Sequence, residues 1–508
     1  MATLFDETGD VQGLIISGYG HLNHSCNFFL HIDDAAAAKQ WLAGIIPQVT
    51  TAKWDTDTSG KAQKPDWALN VALTYHGLLA IGQSPEWLNS FPQEFQQGIA
   101  EPARSRRIGD VGGSAPAHWE IGRPRLDANN QPVLDEEGMV VPDENSIHLV
   151  LMIQARTGDE LHTLRDAQRA LFQTAGLREV AEPQEGYMRP DYKEHFGFHD
   201  SIAQPEIEGS PKPSPPSQTC IQAGEFVLGY RNSYNNFPST PLVPEALDTH
   251  NNLKPQEPET VAEGDSKKRD FGRNGSYVVF RKLYQDVAAF RRYFRDNGKD
   301  AQDSELLKAK CMGRWPSGTP LVLSPDFDDR SLGKEFANDF LYMETDPNGY
   351  KCPIGSHIRR ANPRDSRQVD PKESIISVNR HRIIRRGMPY GPELPEGVYE
   401  DDKVDRGLLF FLINADIARQ FEFIQNAWLD DPKFNSFYHD KDPVVGSNYD
   451  PLSQDDEGPW NMTIQQEPVR RTLKNLPRFV WVRGGAYFFL PSISALSFLA
   501  GVPKPPQT

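Results

Sequence analysis

The chain has 508 residues, enough for two or three domains at roughly 100–200 residues each. Apolar residues make up 38% and charged residues 24%, in alternating segments; that excludes collagenous and globally disordered chains, and no run of about 18 apolar residues marks a membrane span. Seventy acidic against 54 basic residues leave a net charge of −16, a field that repels polyphosphates and anionic lipid, so neither nucleic acid nor a membrane is expected as a partner.

Residues 27–32 (NFFLHI) predict a buried strand, and Asp33 and Asp34 then supply a helix start ahead of the alanine-rich run to Ile46. Residues 67–75 (WALNVALTY) read as a second strand and 148–154 (HLVLMIQ) as a third, followed past Gly158 and Asp159 by a helical pattern over 161–171. The Ser/Pro-rich stretch 209–218 (GSPKPSPPSQ) marks a linker, after which similar components return in order. Residues 276–281 (SYVVFR) lead into an aromatic-studded helix over 286–294, and 408–413 (LLFFLI) lead through Asp416 into a helix ending near Leu429. Two copies of a β-α-β-β-α-β arrangement account for the recurrence. The expected fold is α+β, with tandem ferredoxin-like domains over residues 1–220 and 221–508. Segments 126–145 and 242–274 are polar, punctuated by Pro and Gly, and expected as long surface insertions.

Three segments carry chemistry. The first, 352–365 (CPIGSHIRRANPRD), sets His357 beside Arg359, Arg360 and Arg364 in an acidic protein. A solitary histidine is more often structural, but a neutral imidazole among guanidinium groups suits a metal ligand whose cofactor carries carboxylates, and haem meets that description. In the second, 379–393 (NRHRIIRRGMPYGPE), alternation over 382–386 puts different arginines on opposite faces of an extended strand. One face points into a pocket unless the segment is a solvated edge. The third, 197–205 (GFHDSIAQP), presents Asp200 on a loop where a carboxylate is more often a turn-former than a catalyst.

Together these segments resemble the dye-decolorizing peroxidase family. Its signature is a Gly-x-x-Asp-Gly loop supplying a distal aspartate, a later proximal histidine followed two residues on by a propionate-binding arginine, and a distal arginine before a Pro-aromatic-Gly turn. The matching residues are Asp200, His357, Arg359 and Arg385, in that order. GEFVLGYRNSY (224–234), GLLFFLINADIARQFEFIQNAW (407–428) and VRGGAYFFLPSISAL (482–496) are similar to the family's C-terminal half, and the resemblance, most marked to the larger cytoplasmic bacterial and fungal-like subgroup, covers most of the chain.

The resemblance implies a haem peroxidase that uses hydrogen peroxide to oxidise dyes, phenolic compounds or similar one-electron donors through high-valent iron. One noncovalent haem b per chain is implied, in the C-terminal half. His357 is the implied iron ligand, Asp200 the acid/base and Arg385 the electrostatic stabiliser. Asp442 is the implied carboxylate behind His357, with Asp416 as runner-up, and Arg359, Gln204, Leu409 and Phe411 are the implied haem contacts. Tyr390 is the nearest candidate for a surface electron relay. An aspartate base, with a reference pKa of about 3.9, predicts activity at acidic pH.

The loop departs from the signature at Ser201, which stands where the family has its second glycine. A backbone geometry that glycine supports is one that serine tolerates less readily. His199 is a second acid/base candidate and Arg386 a second distal arginine. Two other readings stand beside the peroxidase: a haem-binding or haem-iron-handling protein with little peroxidase activity, and a non-catalytic scaffold whose arginines bind an anionic partner. The first residues, MATLFDETGD, carry neither a basic-plus-apolar leader nor a twin arginine, and Cys26, Cys220, Cys311 and Cys352 form no Cys-x-x-Cys pair. A cytoplasmic location is therefore expected, with homo-oligomerisation open.

Overall fold

Alternate residues of an extended chain point to opposite faces, and the main strands here are apolar on both, so each needs cover on two sides. The computed structural model describes residues 3–54, 63–211, 220–261, 267–333, 337–447, 458 and 460–506. It meets that demand with one ten-stranded antiparallel sheet that rolls back on itself. In chain order the strands are β1 His24–Ile32, β2 Trp67–Leu73, β3 Leu149–Ala155, β4 Leu177–Glu179, β5 Gln184–Tyr187, β6 Ser276–Gln285, β7 Ile384–Arg385, β8 Met388–Tyr390, β9 Gly407–Asn414 and β10 Val480–Leu490. Their spatial order is β7-β9-β6-β10-β2-β3-β1-β4, with β5 paired to β1 and β8 to β9. Each half has the strand order of a ferredoxin-like unit, β2-β3-β1-β4 in the first and β10-β6-β9-β7 in the second. The two units meet edge to edge where Phe489 of β10 pairs with Leu73 of β2. The boundary expected at residues 220 and 221 falls inside a two-residue strand, Cys220–Ile221, and the linker from residue 212 to 218 lies outside the described residues.

Phe29 on β1 and Phe280 on β6 are four steps apart across the sheet, about 19 Å on a flat surface at ~4.8 Å per strand. Their ring centroids are 4.6 Å apart. The sheet therefore folds over, and the inner faces of the two halves share a core that includes Ala72, Met152, Leu409, Phe411 and Phe488. On the outer face of the first half lie α1 Ala35–Ile45 and α2 Gly158–Gln173, which bury Trp41, Leu42 and Phe172 against Phe28, Leu30 and Leu151. Both helices start where the sequence supplies a cap: Asp34 accepts the N–H groups of Ala36 and Ala37, and Thr157 and Glu160 form a reciprocal capping box.

The second half is covered differently. Asp286 caps α3 Val287–Asn297, and α4 Ala301–Met312 follows. The segments after α4 and after Asp416 then stand off from β6, β9 and β10 and leave a cavity. The helix expected after Asp416 winds as two π-helical stretches, Ala418–Glu422 and Ile424–Leu429, which contribute Phe421, Ile424 and Leu429 to the cavity wall. Asp416 Oδ1 accepts the N–H of Arg419 at 2.8 Å, so it serves as the cap of that helix. The insertion at 242–274 contains a small three-stranded sheet, Leu242–Pro244, Lys254–Pro255 and Lys268–Asp270.

Candidate active site

Strand alternation shapes the cavity. β9 turns Leu408, Phe410 and Leu412 outward, where they line a space of about 290 Å³, near the lower end of the roughly 300–1,000 Å³ usual for cofactor pockets. Leu409 and Phe411, expected at the cofactor, face the inner core instead. They do share one strand face, as the period of two requires, but both faces are apolar, and the face they share is the one covered by the other half of the sheet. A β-bulge makes a second adjustment. Lys282 pairs with Gly484 and Leu283 with Val482, so Arg483 is an extra residue in β10. The phase of the strand changes there, and Val480 and Val482 face the cavity while Ala486 and Phe488 face the inner core.

His357 is the first residue of the short helix α5, His357–Ala361, and lines the cavity. Its Nδ1 lies 3.0 Å from Asp442 Oδ2 and 3.1 Å from Oδ1. The Asp442 side chain is fully buried and also accepts the N–H groups of Val444 and Val445, each at 2.9 Å. Burial pushes this carboxyl up, but the His357 ring and the Val445 N–H outweigh it and hold the group below the ordinary carboxylate value. A proton on Nδ1 shared with Asp442 leaves the Nε2 lone pair free, and no hydrogen-bond partner for Nε2 occurs among the described residues. That is the state of a histidine ready to bind a metal.

Asp200 and Arg385 line the same cavity, with Arg385 Nη1 3.7 Å from Asp200 Oδ1. The Asp200 N–H donates to Tyr192 O at 2.8 Å, and Asp200 Oδ1 accepts the Ser201 N–H at 2.6 Å. Ser201 has φ +63°, a left-handed backbone that glycine adopts freely and serine rarely. The loop therefore keeps the glycine-like path, at a cost of local strain. His199 also lines the cavity, its Nδ1 2.7 Å from Asp200 O and its ring stacked on Tyr192. Arg385 faces the cavity from β7. Arg386 faces away and donates to Leu14 O and Ile15 O at 2.8 and 2.9 Å.

The other two expected haem contacts, Gln204 and Arg359, are not on the wall either. Gln204 Oε1 accepts the Arg385 backbone N–H at 3.0 Å, so it fixes the strand that carries the arginine. Arg359 is buried behind the cavity, its Nη1 3.1 Å from Asp346 Oδ2 and 2.8 Å from Cys352 O, with its charge already matched. Nor is Tyr390 a surface group, being buried with its hydroxyl donated to Asp405 Oδ1 at 2.9 Å.

In place of Arg359, the cavity is lined by Arg314, Arg364 and Arg382, whose guanidinium groups donate to the backbone oxygens of Gly318, Phe340 and Ala203 at 2.9, 3.0 and 3.1 Å. None of the three has a carboxylate partner among the described residues. Burial, with the like charge of Arg364, pushes both Arg314 and Arg382 down to about 9. Desolvated cations without an anion call for an anionic ligand. With an accessible imidazole nitrogen and the apolar wall of β9, they fit haem, whose two propionates supply the missing charge. Sequence reasoning weighed Arg364 and Arg382 only as members of arginine-rich segments and passed over Arg314. It also passed over Glu194, a buried carboxyl on the wall that burial pushes up to about 7.

No family model matches the chain. It is 31% identical over 513 residues to a dye-decolorizing peroxidase of Mycena epipterygia, the match covering 93% of this chain and 83% of that protein. It is 30% identical over 501 residues to a multifunctional dye peroxidase of Amycolatopsis, covering 93% and 91%. Among solved structures, an ancestral D-type dye decolorizing peroxidase matches with a TM-score of 0.74 at 28% identity, covering 98% of this chain and 99% of that one.

Proposed function

The chain belongs to the dye-decolorizing peroxidase family, and from that premise we propose how its residues divide the work. It is a haem peroxidase, an oxidoreductase that reduces hydrogen peroxide and oxidises dyes and phenolic donors. The division of roles rests on one observation: His357, Asp200 and Arg385 line a single cavity. His357 Nε2 is the ligand for one noncovalent haem b, and Arg314, Arg364 and Arg382 pair with its propionates. Bound there, haem supplies an iron with an open position for peroxide and the capacity to exchange electrons one at a time.

Asp200 moves the proton. Its carboxylate takes it from one peroxide oxygen and returns it to the other, which leaves as water. Arg385 keeps its own proton throughout and stabilises the negative charge that builds on the departing oxygen. Asp442 accepts the Nδ1–H of His357, which fixes the ring's orientation and makes Nε2 the stronger donor to iron. The presence of Asp200 and Arg385 together favours peroxidase chemistry over haem-iron handling.

Residues 1–220 and 221–508 form the two fused units. The proposed location is the cytoplasm, a reading supported by four cysteines of which none is disulfide-bonded. No helix among the described residues is long and apolar enough to cross a membrane.

The test is the absorption spectrum of haem-reconstituted protein before and after one equivalent of hydrogen peroxide, for the wild type and for His357→Ala, Asp200→Ala and Arg385→Ala. A Soret band that needs His357, with a peroxide response slowed in the two distal variants, is the expected result. A Soret band unchanged in His357→Ala, or a peroxide response indifferent to both distal variants, overturns the assigned roles.

A further inference from the structure

Reduction of one hydrogen peroxide to two waters takes up two electrons and two protons. The first water forms from the protons that peroxide already carries, moved by Asp200. The oxygen left behind needs two more, and they must reach it inside a largely enclosed cavity. Besides Asp200, two carboxyls line that cavity, Asp110 and Glu194. Asp110 is paired with Arg281, whereas no basic side chain pairs with Glu194 among the described residues.

Glu194 and Asp200 stand on the two arms of one short hairpin. Lys193 pairs with His199, the Glu194 N–H donates to Phe198 O at 3.0 Å, and the Asp200 N–H donates to Tyr192 O at 2.8 Å. In that register the two residues are diagonal neighbours, a relation that separates side chains by about 7–8 Å. Gln285, at the end of β6, meets Glu194 from the opposite element. Its amide nitrogen is 2.7 Å from Glu194 Oε2, while its own Oε1 is buried without a hydrogen-bond partner among the described residues. One amide can therefore serve both protonation states: its N–H donates to the carboxylate, and with the amide turned over its oxygen accepts from the acid. The cations on the surrounding wall already have partners. Arg281 of β6 pairs with Asp110, Arg478 donates to the hydroxyls of Ser114 and Ser447 at 3.0 Å, and Arg385 of β7 faces Asp200. His195, next to Glu194, has its Nε2 2.8 Å from Tyr390 O, and Phe290 of α3 presents only an aromatic ring to Phe196.

We propose that Glu194 is the proton reservoir of the site, handing its proton through one water molecule to Asp200, which passes it to the oxygen that peroxide leaves behind. This inference rests on the peroxidase reading. In each transfer the O–H bond of Glu194 breaks and an O–H bond of the second water forms, and solvent then returns a proton to Glu194 before the next is needed. Over the cycle, one hydrogen peroxide, two electrons from the donor and two protons give two waters. Relay through a single water is within the reach of a general acid. Burial keeps the proton on Glu194 up to about pH 7, so the group is loaded under neutral conditions.

The experiment compares haem-loaded wild type, Glu194→Gln and Glu194→Asp, with ferrocyanide as a donor that brings electrons but no protons. Stopped-flow absorption separates the peroxide response, which takes up no net proton, from the ferrocyanide-driven return, which takes up two. In Glu194→Gln we expect the peroxide response to stay within about twofold and the return at pH 6 to slow by at least about tenfold. The wild-type return falls through an inflection near neutral pH that Glu194→Gln lacks and that Glu194→Asp, which keeps an acid there, retains. Independently of turnover, the infrared spectrum at pH 6 is expected to show the carbonyl stretch of a buried protonated carboxyl in the wild type and to lose it in Glu194→Gln. Absence of that band, a return unchanged in Glu194→Gln, or equal slowing of both halves of the cycle overturns the inference while the peroxidase reading stands. A wild type that gives no peroxide response overturns the peroxidase reading and the inference with it.

Discussion

Replacing Glu194 by glutamine removes a titration that burial makes unfavourable. Glu194 lines the cavity at 8% exposure and accepts the N–H groups of Phe196 and Phe198 at 2.8 and 2.9 Å and the Gln285 amide at 2.7 Å. Burial is the largest influence. It lifts the carboxyl from its ordinary 4.5 to about 7, opposed by those three hydrogen bonds and reinforced by the charge of Asp200. At ~1.4 kcal/mol per tenfold change, that displacement is worth about 3 kcal/mol. Below pH 4.5 the group is protonated in folded and unfolded chains alike, and its contribution to stability is fully present. As pH rises the unfolded chain releases the proton first, so stability falls until the folded-state value near 7 is passed. Urea unfolding of the wild type and of Glu194→Gln from pH 4 to pH 8, compared as a difference so that other groups cancel, measures this directly. The wild type is expected to lose about 3 kcal/mol relative to the variant across the window. A difference that does not vary with pH, or one in which the wild type gains as pH rises, refutes the burial argument.

Asp442→Asn removes the charge facing His357 Nδ1 and is expected to weaken haem affinity by about 10–100-fold, measured by Soret titration of the haem-free protein. Arg382→Met is expected to act with opposite signs, stabilising the haem-free fold in urea by about 1–4 kcal/mol by removing an unmatched buried cation, while weakening haem binding. Ser201→Gly releases a left-handed serine worth about 1–2 kcal/mol of strain, partly offset by the greater freedom of glycine in the unfolded chain. A net gain of up to about 1 kcal/mol in unfolding free energy, with the peroxide response retained, is the expected result. Ser201→Pro locks φ near −65° and deletes the N–H that Asp200 Oδ1 accepts, so the peroxide response is expected to slow in stopped-flow measurement.

The segments that bring three of the expected site residues to one cavity are legible in the sequence. Asp200 on its glycine-started loop, Arg385 beside its turn and His357 in its cationic segment all line the cavity, and the resemblance supplied Asp442 from 85 residues away. The strand-helix recurrence also carried the ferredoxin-like order. Burial on both sides is what sequence periodicity does not resolve. Nothing in LLFFLI distinguishes the face of Leu408 and Phe410 from that of Leu409 and Phe411, because the partner of the inner face comes from β1, hundreds of residues earlier. Arg359 and Arg364 look alike in the segment, and only the fold brings Asp346 to the former. Arg314 and Glu194 gave no local signal, since their significance is the absence of water around them.

The seam between the two units is β10, which in space lies between β6 and β2 but in chain order follows the other nine strands. A ribosome therefore delivers the central strand after both sets of neighbours have emerged, and until then β6 has an open edge, whereas Gln12 and Thr50, made before β2, already bond Val71 and Leu69 along its side. Nascent chains must wait with that one apolar border of β6 unpaired, the condition in which sheets recruit a neighbouring polypeptide in place of their own. The strand that joins the two units is thus also the one that closes the open edge of β6 during synthesis.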